Sequence, residues 1–473
     1  MEQYKLPSHN NPDKVFIVNR SELEGRFDPS YFSSEYEILD SIIEKYSFIR
    51  LNDIAKQISD APHERPDFSD TGVEVIMIEN LKQEGISTDN QKYITEFYHN
   101  KLKSTQLKRD DLLMARIGVT TGVTSIVDDR FVDKNISGNI TLIRLKEEVN
   151  KNFILYYLNS YFGQLYIKRI LSNSARDFLT VGKIKSIKIP NVNVETQQKI
   201  VTLYQQAYNL KQQKEAEAKA LLDSIDSYLL GELGITLPET DNSLEKRVFT
   251  SRFSEIGRGR LDPLSLKNKI SDFLTGKYKE KKIKEIALNF KSGFGAGKQD
   301  QVLDDSGIIQ IRPTNIDEQG TLKFDKNVYL PVDNSYNESD FINVDDILFN
   351  NTNSQEWVGK TAILKEQQQL LFSNHITKIA VNKEVAVPDY IWLILNSYQK
   401  NKIFYSICTN WNNQSGVGLD LLRSLPIPLP PLEKQNEIAQ HIQSIREQAK
   451  QLQNDAKAIL EQAKQEVEQM ILG

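Results

Sequence analysis

Cysteine is nearly absent: Cys408 is the only one in 473 residues. A disulfide framework is thereby excluded, and so is a zinc site built on thiolates. Long apolar runs are missing too, since no stretch approaches the ~18 continuous apolar residues of a membrane helix. Met1 to Lys14 contain no apolar core of a secretory signal. The expectation is a cytoplasmic protein without a membrane partner. Histidine is scarce, and His9, His63, His99, His375 and His441 include no pair at metal-ligand spacing. Neither charge prevails strongly: 59 Lys and Arg against 64 Asp and Glu leave a net −5, which taken alone argues against nucleic acid. What is present is ordinary globular material, 39% hydrophobic and 26% charged. At ~100–200 residues per domain it suffices for two to four domains.

Catalytic signatures are also missing. Ser292-Gly293-Phe294-Gly295-Ala296-Gly297-Lys298-Gln299 resembles a phosphate-cradling loop, but Ser292 stands where the first glycine is needed and Gln299 where Ser or Thr would reach magnesium. A glycine turn is the better reading. No Gly-x-Ser-x-Gly elbow or Gly-x-Gly-x-x-Gly turn occurs, and Cys408 sits in an apolar run that suits a core thiol. The acidic pairs Asp110-Asp111, Asp128-Asp129, Asp304-Asp305 and Asp345-Asp346 could suggest a two-metal site. Two of them open strands, where a turn role is expected instead. The chain reads as a non-enzyme.

The chain repeats itself. Arg26-Phe27-Asp28-Pro29 recurs as Arg260-Leu261-Asp262-Pro263, Asn52-Asp53-Ile54-Ala55 as Lys284-Glu285-Ile286-Ala287, and Asp110-Asp111-Leu112-Leu113 as Asp345-Asp346-Ile347-Leu348. Ser137-Gly138-Asn139-Ile140-Thr141 is answered by Ser373-Asn374-His375-Ile376-Thr377, Leu158-Asn159-Ser160 by Leu395-Asn396-Ser397, and Ile187 to Pro190 by Leu425 to Pro428. The order is kept and the offset stays between 232 and 238 residues. Two diverged copies of one unit explain a collinear series of this kind.

Each copy opens with an α/β stretch. Strands are expected at Val73–Ile78, Asp111–Arg116, Asn139–Leu145, Ile308–Ile311, Asp346–Phe349 and Ile376–Val381. Helices are expected at Phe153–Leu171 and Tyr390–Ile407. Prolines 190, 426, 428, 430 and 431 then mark a boundary. Beyond it, Ile438, Ile442, Ile445, Ala449, Leu452, Ala456, Ile459, Ala463, Val467 and Met470 form a heptad stripe. The first copy offers Ile200, Leu203, Ala207, Leu210, Lys214, Ala218, Leu221, Ile225 and Leu229. Neither stripe can be buried alone, so the two helices are expected to pair with each other, antiparallel if a pseudo-twofold relates the copies. The predicted class is α+β: two pseudo-symmetric α/β domains separated by a long antiparallel two-helix coiled coil. The expected segments are a first domain over 1–190, a helix over 191–232, a linker over 233–247, a second domain over 248–425 and a second helix over 426–473.

This arrangement resembles the specificity subunits of type I restriction–modification systems, over nearly the whole chain. The resemblance is carried by Phe27-Asp28-Pro29, by Ile311-Arg312-Pro313-Thr314-Asn315-Ile316, by Asp346 to Ser354 with Val358-Gly359-Lys360, and by Asp111 to Gly118. Ile427-Pro428-Leu429-Pro430-Pro431-Leu432-Glu433 to Gln435 and Ile438 is its most specific element, with Ile189-Pro190 to Ile200 as a worn form. Asn351 stands where such proteins often carry arginine. The resemblance implies two target recognition domains, each reading half of a split sequence in double-stranded DNA, and helices that set the gap and dock two methyltransferase subunits. Restriction/translocase subunits would complete the complex. No cofactor is implied for this chain: S-adenosylmethionine, ATP and Mg belong to partner subunits.

Base edges are read by Arg, Lys, Asn and Gln presented on loops. The candidate DNA-binding residues are His63, Arg65, Asn80, Lys82, Arg116, Thr120 and Thr121 in the first copy. In the second they are Lys298, Gln299, Arg312, Asn315, Asn350, Asn351, Asn353, Gln355, Lys360, Asn413 and Gln414. Arg116, Lys298, Arg312 and Lys360 lead the set as contacts to base or phosphate. The Asn-rich cluster also reads as an ordinary turn. A coiled-coil adaptor joining protein partners through two binding modules is the alternative function, and a DNA-acting hydrolase a third. The net charge says little about any of these, because acids such as Glu215, Glu217, Glu461, Glu466 and Glu468 fall on the helices.

Overall fold

The computed structural model describes residues 17, 29–61, 67–171, 178–237, 248, 250, 276–302, 305–333, 336–411 and 414–472. The echo between Arg26–Asp28 and Arg260–Pro263 lies outside them. The chain divides into two units. One contains Met1–Glu215 with Gln453–Gly473, and the other Ala216–Leu452.

In the first unit an antiparallel sheet runs in the order Ala55–Asp60, Ile140–Leu145, Leu112–Ala115, Thr124–Ile126. Alternation along Leu112–Ala115 divides its side chains between two cores, as the pleat requires. Leu112 and Met114 join the helices Lys151–Asn159 and Tyr161–Leu171, through Phe153, Leu158 and Phe162. Leu113 and Ala115 join Ile76, Leu107 and Ile136 on the other face. Ile76 and Ile136 belong to a mixed sheet in which Val73–Ile76 pairs parallel with Asn135–Ile136 and antiparallel with Lys92–Ile94.

The second unit repeats this plan. Its antiparallel sheet is ordered Ala287–Ser292, Ile376–Val381, Ile347–Asn350, Thr361–Ile363. Ile347 and Phe349 face the core of Tyr390, Ile394 and Phe404, while Leu348 faces that of Ile311 and Phe372. Ile308–Ile311 again has a parallel neighbour, Leu370–Phe372, and an antiparallel one, Tyr329–Leu330. A three-stranded ribbon, Thr352–Asn353, Gln414–Gly416 and Thr409–Trp411, occupies a segment expected to be loop.

Two of the acidic pairs, Asp110-Asp111 and Asp345-Asp346, act at strand starts. Asp110 and Asp345 adopt positive φ, 65° and 70°, and Asp111 and Asp346 accept the backbone N–H of Lys108 and Asn343. The expected helix Phe153–Leu171 is two helices. Ser160 is extended between them, and its hydroxyl accepts the Gly163 N–H at 3.3 Å. Gly163 is required there, because a Cβ would lie 2.0 Å from the Tyr157 carbonyl oxygen. Likewise the counterpart divides into Pro388–Lys400 and Ile403–Ile407 at Lys402, whose φ is 60°. Cys408 is buried just beyond it.

Each α/β layer closes with a short pairing, Phe48–Arg50 with Lys188–Pro190 and Glu280–Lys282 with Pro426–Pro428. Proline stops the strand, and a long helix follows, Val194–Leu233 or Leu432–Leu472. The helices pair antiparallel within each unit. In the first, Lys214 meets Asp455 at 3.0 Å. In the second, Lys434 meets Glu232 at 2.7 Å and the Tyr228 ring lies 4.3 Å from that of His441.

Two stripe assignments change. Leu210 is exposed, and the inner face runs through Tyr204, Ala207 and Lys211. In the terminal helix Leu460 and Ile471 are buried where the stripe placed Ile459 and Met470, which are half-buried beside them. A straight helix advances 3.6 residues per turn, so a strict heptad drifts off the buried line and the next residue replaces it.

Candidate nucleic-acid interface

Rigid sheets hold the polar loops of both units in equivalent places. In the second unit, the loop after Ala287–Ser292 lies beside the turn Ser373–His375. Gly293 N–H donates to the Ile376 carbonyl, Phe294 N–H to that of Phe372, and Asn374 N–H to that of Phe294. Gly293 permits this, because a Cβ would come within 2.1 Å of the Phe372 oxygen. An open cleft of about 320 Å³ results, lined by Gly295–Gly297, Arg312 and Ser373–His375. Lys298 and Gln299 are exposed where the glycine loop ends. On its other side the Ser373–His375 turn adjoins the ribbon. Asn351 N–H bonds to the His375 carbonyl, and Val417 N–H to that of Asn351. Trp411 covers Gly416 and is 57% exposed, with Gln414 exposed opposite it. The structure thus brings Lys298, Gln299, Arg312, Asn351, Asn353 and Gln414 onto one continuous strip.

Several expected site residues are committed inside the protein. Asn80 and Asn315 are buried equivalents that brace the turn leading from the parallel strand. Their Oδ1 atoms accept the backbone N–H of Met77 and Arg312, and their Nδ2 groups donate to the carbonyls of Asp89 and Lys323. Asn350 is fully buried, with Nδ2 donating to the Trp357 carbonyl at 3.2 Å. Gln355 donates to the Tyr405 carbonyl. Lys360 donates to that of Ile316 and lies over the Trp357 ring, and burial pushes its pKa down. Arg116 is only 2% exposed. It pairs with Asp60, bonds the Leu179 carbonyl through Nε and lies over the Phe178 ring, while burial lowers its pKa. These placements make them holders of the loops. Backbone pairing identifies Asn351 as the equivalent of Arg116. There Asn351 Nδ2 bonds Thr377 Oγ1 at 2.9 Å, so a neutral pair replaces a charged one.

The remaining residues are at the surface or undescribed. Lys82 is exposed in the hairpin Leu81–Ile86. Thr120 and Thr121 are half-exposed in a turn between Gly118 and Gly122, whose φ values are 78° and 89°. In the same turn Val119 is fully exposed, an isolated valine whose lack of a polar group keeps it from being named individually in a loop otherwise expected to read bases. Ser373, Asn374 and His375 were also passed over, although the echo of Ser137–Thr141 marked them. His63, Arg65 and Asn413 lie outside the described residues. Among the described residues, no group of three or more His, Cys, Asp or Glu side chains is placed to hold a metal, and no helix is long and apolar enough to cross a membrane.

Each unit also ties its recognition half to its own long helix at one equivalent point. Tyr208 Oη donates to the Glu84 carbonyl at 2.7 Å, and Arg446 Nη1 to the Gln319 carbonyl at 2.9 Å. Lys211 adds an ion pair to the Glu84 carboxylate at 2.8 Å, and Arg446 lies 4.5 Å over the Trp392 ring.

Two α/β units of one plan, each fastened to a paired helix and differing at their polar tips, define a duplicated recognition scaffold. The chain belongs to the type I restriction modification DNA specificity domain family, whose sequence profile matches residues 43–220 and again 275–462. Among curated proteins, one from Methanocaldococcus jannaschii, named for the specificity subunit of type I restriction enzyme MjaX, is 37% identical over 97 residues, 20% of this chain and 23% of that protein. The type I restriction enzyme MjaVIII specificity subunit of the same organism is 22% identical over 235 residues. That match spans 48% of this chain and about half, 54%, of the relative. A solved structure described under complex assembly and conformational transition of the type I R-M system shares the fold, at a TM-score of 0.50 and 11% identity, covering 90% of this chain and 96% of that one.

Proposed function

We propose that this protein is the DNA-reading subunit of a type I restriction–modification complex. It reads a two-part duplex sequence, one half per unit, and docks two methyltransferase subunits, and restriction subunits where present, through its helices. It has no catalysis of its own: methyl donor, ATP and Mg act on the partners, in the cytoplasm. The observation that carries this reading is the repeated plan itself. Hydrogen bonds that brace the loops recur at equivalent places, while the surface residues differ: exposed Val119 and Lys82 with half-exposed Thr120 in one unit, exposed Lys298, Gln299 and Gln414 with half-buried Asn353 in the other. Reading different half-sites demands that difference.

The test is to express the full chain with a methyltransferase subunit of its own host and map the methylated bases. A split sequence with a fixed gap is expected. Methylation of one contiguous sequence would oppose the reading, and no methylation together with salt-insensitive duplex binding would favour an adaptor.

A further inference from the structure

We propose that the cleft of the second unit seats one backbone phosphate of the bound duplex, with Arg312 as its cation; the proposal rests on the DNA reading above. Arg312 is the cation of a cleft that no carboxylate lines among the described residues. It forms no ion pair with any of them. Burial alone acts on its pKa, pulling it down, and no acid offsets that. An unneutralised guanidinium in an open cleft favours an anionic guest.

The geometry selects a phosphate over a base. Arg312 Nε and Nη2 both bond Gln310 Oε1, at 3.1 and 3.0 Å, and Nη2 also bonds the Ala296 carbonyl at 3.0 Å. Only Nη1 is left without a partner among the described residues. A guanine read by arginine takes two nitrogens of the fork, which are not available here. A phosphate oxygen needs one. In the same cleft Gly295 carries no side chain and nothing but Asn374 comes within 4 Å of where its Cβ would stand, so a sugar–phosphate backbone can approach the loop closely there. Asn374 is exposed and reaches to 3.8 Å from the Cβ position of Gly295. The cleft wall holds further polar capacity: the Ser373 hydroxyl, in a residue 3% exposed, has no partner among the described residues. The same is true of Ser137, its counterpart. In the first unit Met77 occupies the place of Arg312, so a cation at this position belongs to the second unit.

The test compares full chains with Arg312, Arg312→Gln and Arg312→Lys, bound to a 30–40 bp duplex across a salt series. Arg312→Gln is expected to lose about tenfold in affinity on target and unrelated duplexes alike. The slope of log affinity on log salt should fall by about 0.9, one phosphate contact. Arg312→Lys keeps the charge and should return most of both. Equal loss in the two variants would assign Arg312 to loop support and overturn the seat. A loss confined to the target sequence would make it a base reader, which also overturns it. Binding of inorganic phosphate or ATP that Arg312→Gln abolishes, with duplex binding unchanged, would give the cleft to a free phosphate instead. A wild-type chain that binds no duplex removes the DNA reading and the seat together, whereas wild-type binding unaffected by Arg312→Gln removes the seat alone.

Discussion

At equivalent positions the first unit holds Arg116 against Asp60, and the second holds Asn351 against Thr377. The backbone bonds around the two residues match one for one. The geometry at this point therefore belongs to the repeated plan, and the chemistry that satisfies it is free to change. Tyr208 and Arg446 teach the same lesson, a phenol and a guanidinium donating to the carbonyl of equivalent hairpin residues. Met77 and Arg312 show the opposite case: one backbone bond is kept, and the side chain beyond it changes from apolar to cationic. Positions of the first kind hold the loops, and positions of the second kind distinguish the units.

The sharpest way to break this comparison is to remove the buried charge from one side only. Arg116→Ala leaves Asp60 without its cation and should cost about 3 kcal/mol in urea unfolding followed by circular dichroism, whereas Asn351→Ala should cost about 1 kcal/mol. Equal costs would deny that the two solutions differ in kind. At the helix fastening, Arg446→Met should destabilise by about 2 kcal/mol, losing a charged hydrogen bond and its stacking on Trp392. Tyr208→Phe should cost about 1 kcal/mol. Trp357, Trp392 and Trp411 all lie in the second unit, so tryptophan fluorescence should respond to Arg446→Met and stay silent for Tyr208→Phe. The smallest effect concerns the helix stripe. Leu210→Gln should change stability by under ~0.5 kcal/mol because Leu210 is exposed, while Lys211→Ala should cost about 1 kcal/mol through its partly buried pair with Glu84. The reverse order would restore the simple heptad.

Periodicity and the internal echoes made most of the scaffold legible. The strands at Ile308–Ile311 and Ile376–Val381 begin and end where expected, and the acidic pairs open strands as turn residues should. Other features needed three dimensions. The break at Ser160 follows from how closely Gly163 approaches Tyr157, which no spacing rule registers. Buried and exposed asparagines look alike in sequence: Asn80 and Asn315 brace a turn from inside, while Asn374 is exposed in another. The burial of Lys211 in place of Leu210 depends on a Glu84 carboxylate that comes from a distant hairpin. The ribbon around Trp411 lacked the alternation that would have marked its strands.

The central claim is that each unit reads its own half of the target. Its most direct measurement maps methylated sequences for the assembled complex carrying substitutions at two ribbon residues of the second unit, half-buried Asn353→Ala with exposed Gln414→Ala. The account predicts that one half of the recognised sequence relaxes while the other half and the gap between them stay as in the wild type. Relaxation of both halves, or a changed gap with both halves intact, would contradict it.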